Sequence, residues 1–212
     1  MATATRWVNV TIQMQSALGA NKTISAITTA SPGVVSSTSH GISDGAYVVY
    51  TMTSGMPQLN ERVLRIDNPA TSAWDIEGVD TSGYDAFVSG YANEVTFGTT
   101  FQTLMEITGE GGEMQYGTYR LLNENQERRY PTFRSPRGFQ LRSLWDPADS
   151  ALVAAEVADN AGTARAVKIT FSNGKIWVFN GLVDFSGAPS GTELVECTIG
   201  FSGQGRGKFY AS

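Results

Sequence analysis

One histidine, one cysteine, a glycine–glutamate run, a scatter of aspartates and a cluster of arginines are the residues of this 212-residue chain whose types suggest chemistry. His40 lies in Ser39-His40-Gly41, where an imidazole could serve as a general base. A hydrolase also needs a nucleophile and an orienting group within hydrogen-bond reach, and the sequence offers no such set; the simpler reading is a turn residue bonded locally. Cys197 alternates with Val195 and Ile199, the setting of a small apolar core residue rather than of an activated thiolate. Gly109-Glu110-Gly111-Gly112-Glu113 lacks the Lys-Ser/Thr that follows a phosphate-binding loop, and its glutamates repel phosphate, so it reads as a hairpin tip. Asp44, Asp67, Asp75, Asp80 and Asp85 could in principle gather around calcium, but their spacing matches no metal loop and suits turns. The expectation is therefore no catalytic residue, no metal site and no cofactor, and not an enzyme.

The arginines are the feature that invites a functional reading. Arg120, Arg128, Arg129, Arg134, Arg137 and Arg142 fall within 23 residues, among Tyr130, Phe133, Phe139 and Trp145, with only Glu124 and Glu127 of opposite sign. A guanidinium binds carboxylates through two parallel hydrogen bonds, and arginine is enriched at protein interfaces. Residues 1–110 carry ten acidic and four basic side chains, a balance of −6, whereas residues 111–212 carry ten and eleven, a balance of +1. A second copy of the chain thus offers complementary charge, and subunit contact is the favoured reading over a solvated loop or nucleic-acid binding. A net charge of −5 argues against a dedicated nucleic-acid-binding domain, which is ordinarily basic.

The elements that must position these residues are mostly strands. Twenty-three glycines, abundant Ser and Thr, and a single clear helix signal indicate a mainly β protein. The helix spans about 146–160: Asp146 is its expected N-cap, Pro147 its first-turn residue, and Asn160-Ala161-Gly162 its stop. Arg165–Phe171 alternates as a strand, Ser172-Asn173-Gly174-Lys175 suggests a two-residue hairpin loop, Ile176–Phe185 returns, and Glu193–Phe201 adds a third strand. Nearer the start, Trp7–Met14 alternates, and Val95, Phe97, Thr99, Phe101, Thr103, Met105 and Ile107 share one face. Between Ile24 and Gly90 the texture changes to short strands and frequent turns, with strands expected at Ala46–Met52, Arg62–Ile66 and Trp74–Ile76. No run of 18 apolar residues occurs, and Met1–Trp7 lacks the apolar core of a secretory leader. With a lone cysteine, the expected folding compartment is a reducing cytoplasm.

Two resemblances follow from these residues. The segment 24–90, through His40-Gly41-Ile42-Ser43-Asp44-Gly45, Ser54–Asn60 and Glu77–Tyr84, resembles a small FCCH-like β-module of tailed-phage structural proteins. The remainder, 1–23 plus 91–212, resembles the major tail tube protein of long-tailed siphophages. It does so through Trp145–Asp149, Val167–Gly174, Trp177–Phe185 and the closing Leu194–Gly203 strand.

The resemblance implies a tail-tube β-sandwich or barrel with one flanking helix and an inserted small β-domain. It further implies hexameric rings stacked into a tail tube, the conduit for DNA ejection, in a virion assembled from protein made in the host bacterial cytoplasm. The implied partners are further copies of itself, a tape-measure protein, tail terminator and tail-tip proteins, and passing DNA that is not specifically bound, with no membrane. The implied inner wall is a polar, acidic sheet, for which the strands bordering Gly109–Gly112 and the Trp177–Phe185 hairpin are candidates. The 24–90 module is expected on the outside. Two alternatives stay open: a tail terminator or connector ring, and a carbohydrate-binding β-sandwich with Trp74, Tyr84, Phe87 and Tyr91 as its aromatic platform.

Overall fold

Antiparallel pairing of alternating segments dominates a computed structural model of the chain, which describes residues 9–191 and 194–211. The first half forms β1 (Thr11–Leu18), β2 (Lys22–Ile24), β3 (Ala26–Ile27), β4 (Val34–Ser36), β5 (Tyr47–Gly55), β6 (Val63–Ala70), β7 (Ala73–Ile76) and β8 (Phe87–Thr100). The second forms β9 (Leu104–Gly111), β10 (Met114–Tyr119), β11 (Arg128–Arg134), β12 (Arg137–Leu144), helix α1 (Ser150–Asn160), β13 (Ala164–Thr170), β14 (Ile176–Ser190), β15 (Glu196–Gly203) and β16 (Lys208–Tyr210). All but β10 and β11 join one sheet in the order β3-β4-β7-β6-β5-β8-β1-β13-β14-β15-β12-β9, with β2 on β8 and β16 on β14, and the sheet curls into a half-barrel. The expected mainly β architecture with one flanking helix is what the chain adopts.

Asp149, not Asp146, caps α1. Its backbone is extended and its carboxylate accepts the Ala151 N–H at 2.8 Å, while Asp146 accepts from Ala148 at 2.9 Å and shapes the turn before the helix. The stop falls where expected: Gly162 takes φ +58°, its N–H reaches Asp159 O, and Thr163 N–H reaches Ala158 O, a Schellman closure. The buried face of α1 is Ala151, Leu152, Ala155 and Ala158, small enough for the helix to lie close on the sheet; Val153 and Val157 face outward.

Other boundaries shift for local reasons. The β13–β14 loop has three residues, not two: Phe171 N–H bonds Lys175 O, Gly174 N–H bonds Phe171 O, and only Gly174 has positive φ, which closes a type I turn with a glycine bulge. The alternation expected from Val95 to Ile107 breaks at 101–103, between β8 and β9, so Met105 is exposed while Phe101 is buried. Within the strand expected over 7–14, Trp7 and Val8 lie outside the described residues and pairing begins at Thr11. Glu193 is likewise outside them; β15 starts at Glu196, leaving Val195 exposed ahead of Cys197, Ile199 and Phe201, which are buried. β16 is three residues long, too short for a local alternation to mark it, and is defined by its pairing with Ile176–Val178 of β14.

Three apolar clusters hold the sheet. Ile12, Met14, Leu141, Val167, Ile169, Phe179, Ile199 and the α1 face form one, and residues from Ile24 to Ala92 form a second around Trp74. Val49, Val63 and Val95 meet Ala166, Val178 and Tyr210 in a third, so the two larger cores share a seam. β8 runs uninterrupted from Phe87 to Thr100, and Arg65 N–H donates to Tyr210 Oη at 2.8 Å across the same seam.

Trp74 is 1% exposed; its Nε1–H donates to Tyr50 Oη at 2.9 Å, and the His40 ring meets it edge-on at 4.7 Å. Burial pushes the Tyr50 phenol well above its ordinary pKa, so the hydroxyl stays protonated and able to accept this bond. Tyr84 and Phe87 pack, partly buried, against the same cluster, and Trp74 lies inside it, out of reach of a ligand at the surface. Trp74→Ala is expected to cost about 3–5 kcal/mol, lowering the melting temperature by roughly 10 °C in a thermal melt; a change of under ~3 °C would contradict this packing.

Candidate conduit and assembly surfaces

Strands β14, β15, β12 and β9 lie side by side, and alternation divides their residues between two faces except at register shifts after Arg142 and after Ser186. The pairs Leu141–Ile107, Leu141–Ile199, Phe139–Phe201 and Val183–Phe201 turn toward the core. The opposite face pairs Gln140 with Thr108 and Gly200, Arg142 with Glu106 and Thr198, and Asp184 with Gly200. With Glu110 and Glu196 it presents four carboxylates against one guanidinium, interspersed with Thr108, Gln140, Thr198, Ser202 and glycines, with Leu144 and Leu182 also on it and Met105 exposed at the bulge beside Glu106. Arg142 holds Glu196 bidentately at 2.6 and 2.9 Å and reaches Glu106 at 3.5 Å. The hydrogen bonds to Arg142 hold the Glu196 carboxyl below the usual range, and the same pair raises the Arg142 guanidinium, so both stay charged at neutral pH.

This four-strand patch has two unpaired edges among the described residues. β9 pairs only with β12. β13 covers β14 only as far as Leu182, so β14 beyond that point has β15 on one side and no strand on the other. An unpaired edge presents a row of N–H and C=O groups ready to accept another strand.

Above the patch rises an arm. β9 continues into β10 and β11 returns into β12, and β10 and β11 pair with each other as a separate two-stranded ribbon. The expected hairpin tip at Gly109–Glu113 is instead the knee of this arm; the tip is the 120–127 loop. Gly111 and Gly112 take φ +75° and +80°, and a Cβ on Gly111 would overlap the carbonyl oxygen of Pro136. Ser135 N–H bonds Glu113 O at 2.9 Å, and Glu113 N–H bonds Ser135 Oγ at 3.0 Å, fixing the bend from the other strand. On the ribbon, Tyr116 and Phe133 are 60% and 67% exposed, and Leu122 at the tip is fully so. An isolated two-stranded ribbon is at best marginally stable in water, because it has no core of its own.

Residues 54–212 match the family model described as Phage tail tube protein, TTP. The chain belongs to that family. No curated protein matches it. A tail tube protein is a structural component of the phage virion, in its tail. The matched stretch includes every strand of the four-strand patch, the arm and α1.

In this tail tube protein the six arginines do not form one site. Arg128 pairs with Glu124 at 2.7 Å on the ribbon, and Arg142 belongs to the polar sheet face. Arg120, Arg129, Arg134 and Arg137 have no ion-pair partner among the described residues. Sequence reasoning missed the ribbon because Pro131 lies within β11 and Gly117 within β10; Gly117 is what lets the Tyr130 ring lie across the neighbouring strand. His40 is buried with both ring nitrogens engaged, Nε2 donating to Ala70 O at 2.6 Å and Nδ1 accepting from Ile42 N–H at 3.1 Å, which leaves no edge for general-base work. Burial raises the Cys197 thiol above its ordinary pKa, the opposite of activation. Asp80 and Asp67 accept from the backbone of Ser82 and Asn68, and Asp85 from the Gln58 side chain; no cluster suited to a metal occurs among the described residues.

Proposed function

We propose that this protein forms homohexameric rings that stack into the tail tube of a siphophage, and that the outer face of β14-β15-β12-β9 is the wall along which DNA is ejected. The observation that carries this reading is a polar, net acidic sheet face bounded by two open strand edges. Pairing the β9 edge of one copy with the β14 edge of the next is a head-to-tail contact, and such a contact closes into a ring when its rotation closes. The carboxylates keep the wall from binding phosphates, so duplex passes without sticking. The arm, with its uncovered aromatics and unpaired Arg120, Arg129 and Arg134, lies against a neighbouring copy in this reading, which also supplies the core that a two-stranded ribbon lacks.

The 24–90 segment, FCCH-like in its turn pattern, lies on the outside of the tube. Its strands β3 to β7 sit at the end of the sheet order opposite β9 and close around their own core, away from the proposed wall. The remaining partners in this scheme are the tape-measure protein in the lumen and the terminator and tip proteins at the two ends, all assembled in the host cytoplasm.

Negative-stain electron microscopy of the purified protein over a concentration series tests the reading. Hollow tubes or stacked six-fold rings with a central channel are expected. A monomer at every concentration, including after addition of a tail-tip complex, overturns it.

A further inference from the structure

The two ends of the proposed wall carry opposite charge. At the knee end, where Gly111 pairs with Arg137 and Gly138 with Ser202, a cavity of about 590 Å³ is lined by Arg134, Ser135, Pro136, Arg137, Gln204 and Arg206. None of its three guanidiniums has an ion-pair partner among the described residues, although Glu110 and Glu113 stand on the same end. At the far end of the same strands, where Ser143 pairs with Leu104 and Leu144 with Glu196, the carboxylates of Asp146 and Glu106 are exposed. Asp146 spends one oxygen on Ala148 N–H, and Glu106 is held only by a 3.5 Å contact to Arg142. Trp145 and Val195 lie beside them, partly exposed and joined by a backbone hydrogen bond of 2.8 Å.

We infer that the knee cavity is a carboxylate socket for a second copy of this chain, filled by Asp146 and Glu106 of the subunit in the next ring. This rests on the stacked-ring reading and gives it a direction. Translating one copy along its own strands sets the three-arginine cavity against Asp146, which has no ion-pair partner among the described residues, and Glu106, which Arg142 holds only at 3.5 Å. The contact is heterologous and leaves a fresh socket and a fresh plug at either end. Such a contact cannot close on itself and so grows a filament. A guanidinium accepts a carboxylate through two parallel hydrogen bonds, which fixes orientation as well as attraction. Carboxylate is favoured over nucleic-acid phosphate because the adjoining sheet face is net acidic and the complementary acids are supplied by the same chain at every ring.

The test is a charge exchange. Arg137→Glu with Arg206→Glu is expected to leave single rings intact but raise the protein concentration needed for tube growth by at least about tenfold, with Asp146→Arg doing the same. Combining Arg137→Glu with Asp146→Arg is expected to restore growth, and the milder Arg137→Gln with Arg206→Gln to weaken the salt dependence of growth without touching the melting temperature. Tubes that grow unchanged in both reversed variants overturn the socket and leave the tube reading standing. Wild-type protein that never forms rings overturns the tube reading instead. Wild-type rings that retain a short DNA duplex in a gel shift, lost in Arg137→Glu/Arg206→Glu while tubes form normally, mean that the cavity holds phosphate, and the proposal fails.

Discussion

Replacing Tyr116, Leu122 and Phe133 together with serine is expected to abolish tube growth while moving the melting temperature of the monomer by no more than about 2 °C. These side chains stand on a ribbon that the body of the protein does not cover, so the folded monomer loses almost nothing when they shrink. Exposed substitutions away from caps and cores usually fall within about 0.5 kcal/mol. The proposed assembly buries the same groups against a neighbour, and burying one large apolar side chain contributes about 1.5–3 kcal/mol. Losing three per subunit weakens each contact by roughly 5 kcal/mol, more than a thousandfold in affinity. Sedimentation with electron microscopy, alongside a thermal melt, separates the outcomes. Unaltered tubes would show that the arm is not part of the assembly contact. A melting temperature lowered by ten degrees would show instead that the ribbon folds back onto its own body in solution.

The legible parts of the sequence were those where a local rule and the packing agree. Val167, Ile169, Trp177, Phe179 and Val183 alternate because one face of β13 and β14 is buried in the cluster shared with β1, β12, β15 and α1, so the core itself forces period two. Gly162 and Gly174 were readable as stops because only a residue free of a Cβ takes their positive φ cheaply. The helix start was misplaced by three residues because Asp146 and Asp149 both make the aspartate-to-backbone bond of a cap, and only the backbone after Asp149 continues as a helix. The arm was illegible for a different reason. A ribbon with no buried side leaves no hydrophobic alternation to read, and Gly111-Gly112 has the same composition whether it forms a tip or a knee. What distinguishes the two is Pro136, whose carbonyl lies against Gly111 from the returning strand, a contact of 25 residues' separation that no local window contains. The polar face of β9 and β12 is not legible from either strand alone, because Gln140, Arg142 and Glu196 join it through registers set across the sheet.

Glu110→Lys combined with Asp184→Lys is expected to slow DNA ejection by at least about tenfold and to make empty tubes retain duplex DNA. The sheet face carries Glu106, Glu110, Asp184 and Glu196 against Arg142, a balance of −3 per subunit; the two substitutions turn it to +1. Neither residue has an ion-pair partner among the described residues, so the fold has no reason to respond, whereas changing Glu106 or Glu196 would also free Arg142. Phosphate binding by added cations is paid back in released counterions, so the retention should vanish steeply between about 50 and 200 mM salt, a signature that misassembly does not produce. Glu110→Gln with Asp184→Asn should fall between the two, since it removes repulsion without adding attraction. Ejection that proceeds at the wild-type rate from tubes of normal length would place this face away from the DNA. The open edges of β9 and β14 would then have to join a sheet whose other surface lines the channel, and that surface is occupied by α1 and the apolar core.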